Sequence, residues 1–347
     1  MIKTLLIGLL LLACTSAQAA VILQYHHVSA TTPASTSVTP KQFREQMQYL
    51  YDHQFNVLPL SDIVNAIKSQ QTLPAKTVAI TFDDGYRSIA TTAHPILKEY
   101  GFPYTLFVSV EPIKRKYGNM MTWNELIELS KDGAEIANHS WGHEHLIRRL
   151  PQETQAQWIK RIEQNIDQTE AAIAEATGQN LKMLAYPYGE YNADIEAMLA
   201  KKGYVALGQQ SGAAGIYSSL TALPRFPVAG VYANLDTLKV KLNSLNMPVI
   251  NQNTSNPELT KNWRPKLIVT LDMTDIYPHQ MMCFIQGQGA QKPLWLGKNQ
   301  FSIQAETDLP AGRSRYNCTA PSKTKSGYYW FSQAWVRPFD DGSWPKE

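Results

Sequence analysis

Four short clusters in this chain combine residue types that move protons or bind metals. The first is Asp83-Asp84-Gly85, which follows an apolar run over 77–82. Successive side chains of a strand point to opposite faces. Two neighbouring aspartates therefore serve one site only where the strand has ended, and Gly85 permits a sharp exit. Adjacent carboxylates repel, and one is driven towards protonation unless a cation sits beside them. The same residues also read as an Asp-Asp-Gly turn capping a helix that starts near Tyr86. The second cluster is His139-Ser140-Trp141-Gly142-His143. Imidazoles four apart face one way on a helical turn. With one carboxylate and an open position for water, they make the ligand set of a catalytic zinc. His145, six residues from His139, fits that geometry less well. The third is Tyr186-Pro187-Tyr188-Gly189, where proline and glycine bracket a backbone N–H on Tyr188 that could face a developing oxyanion. A plain Pro-Tyr-Gly turn with a packed tyrosine is the simpler reading. The fourth is His26-His27 behind the apolar run 21–25. A histidine placed near a metal could protonate a leaving group, and one of this pair is expected to be a hydrogen-bonded core residue.

Every cluster stands at the end of an expected strand. Strands are predicted over 21–25, 55–58, 77–82, 104–110, 134–138, 181–186 and 204–207, alternating with helices. Among the helices are one begun by Thr39-Pro40 and a long amphipathic one over 154–177 that Gly178 ends. Such alternation without hairpin signals means a parallel sheet covered by helices, and six or seven strands suggest a barrel or near-barrel. Ligands then lie at the C-terminal ends of the strands, where the four clusters are. No glycine-rich phosphate loop follows the first strand, which counts against a dinucleotide fold. The pattern changes after Asn246. Residues 248–265 read as a linker, and short strands over 266–271, 282–285, 301–305 and 328–336 form a small β module, plausibly a sandwich. Its Trp295, Tyr328, Tyr329, Trp330, Trp335 and Trp344 could stack on sugar rings or simply build its core.

At 347 residues with 44% hydrophobic content, the chain can hold one large α/β domain plus a module. A formal charge of +3 without a basic stripe gives no sign of nucleic acid. Lys3, the apolar run 4–13 and Ala17-Gln18-Ala19 read as an export signal over 1–19, too short for a transmembrane helix. Leu11-Leu12-Ala13-Cys14 also resembles a lipobox, so a lipid anchor at Cys14 is the alternative to simple cleavage and release to the periplasm or medium. An exported chain then keeps Cys283 and Cys318, which are expected to form a disulfide.

Thr81-Phe82-Asp83-Asp84-Gly85, His139-Ser140-Trp141-Gly142-His143 and Tyr186-Pro187-Tyr188-Gly189 resemble, in order and form, the motifs of the polysaccharide deacetylases (the NodB-like carbohydrate esterase family 4). Tyr25-His26-His27-Val28 further resembles the branch containing the bacterial poly-N-acetylglucosamine deacetylases. The resemblance covers roughly residues 20–245 and implies a distorted (β/α)7-type barrel over 20–247, while the linker over 248–265 and the all-β module over 266–347 follow from the change of pattern alone. It implies Asp83 as base, His26 as acid and the Tyr188 N–H as oxyanion donor, with Asp84, His139 and His143 holding a divalent metal, zinc foremost. Two departures stand out. Ala185 replaces the arginine that usually orients the base, a role Arg225 could fill, and no counterpart of the family's tryptophan motif follows. The implied activity is N-deacetylation of a polysaccharide containing N-acetylglucosamine. Chitin-oligosaccharide or peptidoglycan deacetylation, or O-acetyl ester cleavage, are alternatives on the same site. A non-catalytic carbohydrate-binding surface protein is the alternative of another class.

Overall fold

The apolar runs become the staves of one parallel sheet in the computed structural model, which describes residues 19–346. In chain order its strands are β1 (Ala20–Tyr25), β2 (Asn56–Val57), β3 (Thr77–Phe82), β4 (Thr105–Val108), β5 (Glu135–Asn138), β6 (Met183–Ala185), β7 (Val205–Leu207) and β8 (Phe226–Pro227). They lie in the order β8-β1-β3-β4-β5-β6-β7, with β2 beside the start of β3. All pairs are parallel. The segment leading into β8 returns to the far edge, where Leu223 bridges Leu207. The sheet thus curls into a nearly closed, distorted barrel. Every residue of β1 and β3 is buried, as strands covered on both faces require.

Local signals set the helices. Thr39 and Gln42 form a capping box on helix Pro40–Asp52, and Thr154 and Gln157 form another on helix Gln155–Thr177. Gly178 ends the latter in the left-handed conformation, φ 74°. The helix expected after Gly85 begins at residue 87, passes through a wide π-type turn, Ile89–Ala93, and runs on as His94–Tyr100.

The C-terminal module is a sandwich of two sheets. One contains Ser244–Asn246, Tyr328–Arg337, Gly312–Pro321, Met282–Ile285 and Gly289–Gln291; the other contains Val249–Gln252, Lys266–Leu271, Gln300–Gln304 and Leu294–Trp295. Leu267, Val269, Phe301 and Ile303 from the smaller sheet meet Ile285, Tyr316 and the Cys283–Cys318 disulfide from the larger. The two cysteines lie directly opposite each other on neighbouring strands.

The expected boundaries at 247 and 265 need correction. Val249–Gln252 is an edge strand rather than linker, paired with Lys266–Leu271 through a register shift. Asn253 secures it, accepting from the Ile268 N–H and donating to the Lys266 carbonyl. Half of an edge strand faces solvent, so its Asn/Pro/Thr-rich surroundings hid it. Ser244–Asn246, assigned from sequence to the barrel, runs parallel to Tyr328–Trp330 in the module's sheet. Trp330 meets Phe226 of β8 edge-on at 5.1 Å, and Asn192 bonds Glu258 at 2.7 Å. Barrel and module are welded. The module's aromatics serve mainly its own core and this contact. Trp335 and Tyr329 are buried, Trp295 packs on Phe301, and Arg148 lies over Trp344. Tyr328 remains exposed.

Candidate active site

Parallel pairing brings the ends of β1 and β3 together. Tyr25 is opposite Phe82, and the Asp83 N–H donates to the Tyr25 carbonyl at 2.9 Å. The next residues, His26 and Asp83-Asp84, are therefore neighbours. Asp83 is wholly buried, and Arg225 grips it with two bonds, Nη1 to Oδ1 at 2.7 Å and Nη2 to Oδ2 at 2.8 Å. Gln24 adds a third from Nε2 at 2.7 Å. Arg225 is itself fully buried and held by the Gly208 carbonyl and the Thr81 hydroxyl. Burial pushes the Asp83 carboxyl up, but Arg225 and the nearby imidazoles outweigh it and hold the group below the usual range.

Asp84 turns the other way. Its φ of 74° and Gly85's of 91° break the strand alternation, so both carboxylates serve one site with different bonding partners. Asp84 Oδ1 lies 3.2 Å from Nε2 of both His139 and His143. The two histidines do not ride a helical turn, as the spacing suggested. They sit on a loop in which Ser140 and His143 are left-handed, φ 66° and 61°. Asn138 at the end of β5 accepts from the Ser140 N–H, and the Ser140 hydroxyl accepts from the His143 N–H. Short-range side-chain bonds replace helical ones here.

The trio fits a divalent cation. The Ala185 carbonyl can only accept, so His139 donates to it from Nδ1 at 2.7 Å and turns Nε2 towards Asp84. Asp84 Oδ1 is buried and receives no hydrogen bond. The three ligand atoms fall within 4.8 Å of one another. Burial and the His139 charge push His143 down to about 4, so it presents a lone pair at neutral pH. Burial lowers His139, but Asp84 and Asp83 raise it overall. The cluster attracts positive charge.

Tyr188 occupies the third cluster with a left-handed backbone, φ 59° and ψ 0°. Its ring meets His143 edge-on at 4.5 Å and stacks on His145 at 3.8 Å. His145 is not in the trio; its Nδ1 pairs with the buried Glu190 at 2.7 Å. Arg313 of the module bonds the same Glu190 and covers the Tyr188 ring. His26 is half-buried, and its charge acts on Asp83, Asp84 and His143. His27 is buried and stacked 3.6 Å from Tyr86, in keeping with a core residue.

Residues 70–207 match the polysaccharide deacetylase family model. The chain carries a polysaccharide deacetylase domain. That domain is one of a hydrolase. The chain is 26% identical over 245 residues to the poly-beta-1,6-N-acetyl-D-glucosamine N-deacetylase of Escherichia coli K12, covering 60% of this chain and 36% of that protein. It is 28% identical over 187 residues to the enzyme of the same name from Staphylococcus aureus MSSA476, covering 52% and 63%. Against both, the chain spans less than two thirds of the relative's length. The fold matches the Streptococcus pyogenes deacetylase PplD, with a TM-score of 0.59, 22% identity and coverage of 65% of this chain and 99% of that one. It also matches IcaB from Ammonifex degensii, with a TM-score of 0.56, 20% identity and coverage of 65% and 97%.

Sequence reading missed Gln24, Glu190 and Arg313. Gln24 carried a signal, being a lone polar residue inside the apolar run 21–25. Glu190 and Arg313 carried none, since 123 positions separate them.

Proposed function

We propose that this chain is an exported, metal-dependent N-deacetylase of an N-acetylglucosamine polymer. The carrying observation is the division of labour between adjacent carboxylates: Asp83 is locked to Arg225, while Asp84 faces two imidazole nitrogens. Asp84, His139 and His143 would hold the cation, and one carboxylate with two histidines suits zinc. When bound, such an ion supplies Lewis acidity and an acidified water.

The protein's own residues complete the reaction. Asp83 takes a proton from the attacking water as its oxygen bonds the acetamido carbon. Arg225 and Gln24 aim the carboxylate and keep it ionised. The Tyr188 N–H takes up the oxyanion charge. As the C–N bond breaks, protonated His26 gives its proton to the nitrogen, because an amide anion is a very poor leaving group. Acetate and a free amine leave.

The names of the E. coli and S. aureus relatives and the Tyr25-His26-His27 opening support a β-1,6-linked polymer. Export rests on residues 1–19. Lys3, the apolar run and Cys14 lie outside the described residues, and no helix among the described residues is long and apolar enough to cross a membrane. The deciding experiment is acetate release by the purified chain from poly-β-1,6-N-acetylglucosamine, chitin oligomers and acetylxylan, with and without chelator. Chelator-sensitive release from the first alone is expected. Release only from acetylxylan would make the protein an esterase.

A further inference from the structure

The outer face of the module's larger sheet runs along the barrel and is partly open to solvent. On strand Gly312–Pro321 the side chains alternate, with Tyr316 and Cys318 turned into the module's core and Arg313, Arg315, Asn317 and Thr319 turned outward. Two cavities lie along this seam. One, of about 480 Å³, runs from Tyr188 and Gly189 at the active site past Arg313 and Arg315. The second, of about 420 Å³, continues past Arg315 to Phe284 and Tyr328. They share Pro227, Tyr232 and Arg315 as walls, so they form one track. Three of its aromatic rings are half open to solvent: Tyr232 at 48%, Phe284 at 47% and Tyr328 at 52%. At about 3.3 Å per residue, the outward face from Arg313 to Thr319 is roughly 20 Å long, enough for several sugar rings in a row.

We infer that this seam binds further units of the same polymer that enters the active site, and that it discriminates by charge for units still acetylated. The inference rests on the deacetylase reading given above. Open aromatic faces beside polar side chains suit sugar rings, which present C–H faces and hydroxyl rims. The track begins at Tyr188, whose ring touches His143, so it opens beside the reacting unit. Its charges are Arg313, Arg315 and Lys241 against Glu190, which already pairs with His145 and Arg313. An N-acetylated sugar is neutral. Each unit that loses its acetyl group gains an ammonium, and like charge in this cleft is unfavourable. The seam therefore retains unreacted polymer and releases product.

The test is binding to the full chain carrying Asp83→Asn, so that the ligand is not consumed. The probes are β-1,6-linked N-acetylglucosamine dimer and hexamer, the fully de-N-acetylated hexamer, and a β-1,4-linked hexamer. The acetylated hexamer of one linkage should bind about tenfold tighter than its dimer. Phe284→Ala with Tyr328→Ala should abolish that gain while the melting temperature holds, because both rings are half-exposed. The de-N-acetylated hexamer should bind more weakly than the acetylated one at low salt. Salt, or Arg315→Gln, should narrow the gap. Hexamers no tighter than dimers, or aromatic variants with unchanged hexamer affinity, would overturn the proposal. So would tighter binding of the de-N-acetylated hexamer, or a dimer of the protein that Phe284→Ala dissociates. Absence of acetate release by the wild type is a separate readout and would sink the deacetylase reading instead.

Discussion

Asp83 and Asp84 are adjacent, yet their bonding partners differ throughout. Arg225 and Gln24 saturate the first; two imidazoles face the second. Asp84→Asn should lose retained metal and activity together, whereas Asp83→Asn should keep the metal and lose turnover. Metal analysis beside acetate release checks both, and equal metal loss in the two variants would break the assignment. Arg225→Met is expected to be costly for another reason. It strands a carboxylate with no exposure, and removing one partner of a buried ion pair typically costs about 3–5 kcal/mol. Urea denaturation at neutral pH should show a loss of that order, largely recovered when Asp83→Asn is added.

The loop elements around the site are shaped by left-handed backbones at Asp84, Ser140, His143 and Tyr188. Gly189 joins this series with a φ of 70°, and a Cβ there would stand 2.7 Å from the Gln209 side chain. The loop after β6 therefore needs glycine. On helix Leu235–Leu242 the constraint is electrostatic. Lys241 is 8% exposed, donates to the Pro227 carbonyl at 3.0 Å, and burial lowers its pKa to about 8 from an ordinary 10.5. Between those values the unfolded chain holds a proton that the folded chain has released. Stability contributed by this group therefore rises as pH climbs from 8 to 10.5. The stability difference between wild type and Lys241→Met should shift in favour of wild type across that window. Urea midpoints at several pH values measure it, and a flat difference would mean that the lysine titrates normally in the fold.

At the scale of the whole molecule, the module is part of the enzyme's architecture. Ser244–Asn246 depends on Tyr328–Trp330 for its pairing, and Trp330 closes over Phe226. A chain ended at residue 247, the boundary that composition suggests, should melt roughly 10 °C lower, at about 2–4 °C per kcal/mol. An unchanged melting temperature would show that the barrel folds alone.

Chain order was enough for the parallel barrel, because strand–helix alternation with a cap at Thr39 and a stop at Gly178 is written in local periods. It was also enough to find the clusters at the strand ends, since apolar runs that stop at polar residues mark where a parallel sheet opens. The Asp84–His139–His143 convergence followed from those positions, though the loop geometry that achieves it did not. Only the tertiary structure decided that Arg225 reaches Asp83 across 142 positions, and that Glu190 joins His145 to Arg313. Local sequence records what a residue prefers near its neighbours; which distant charge it meets depends on how the sheet curls and where the module docks.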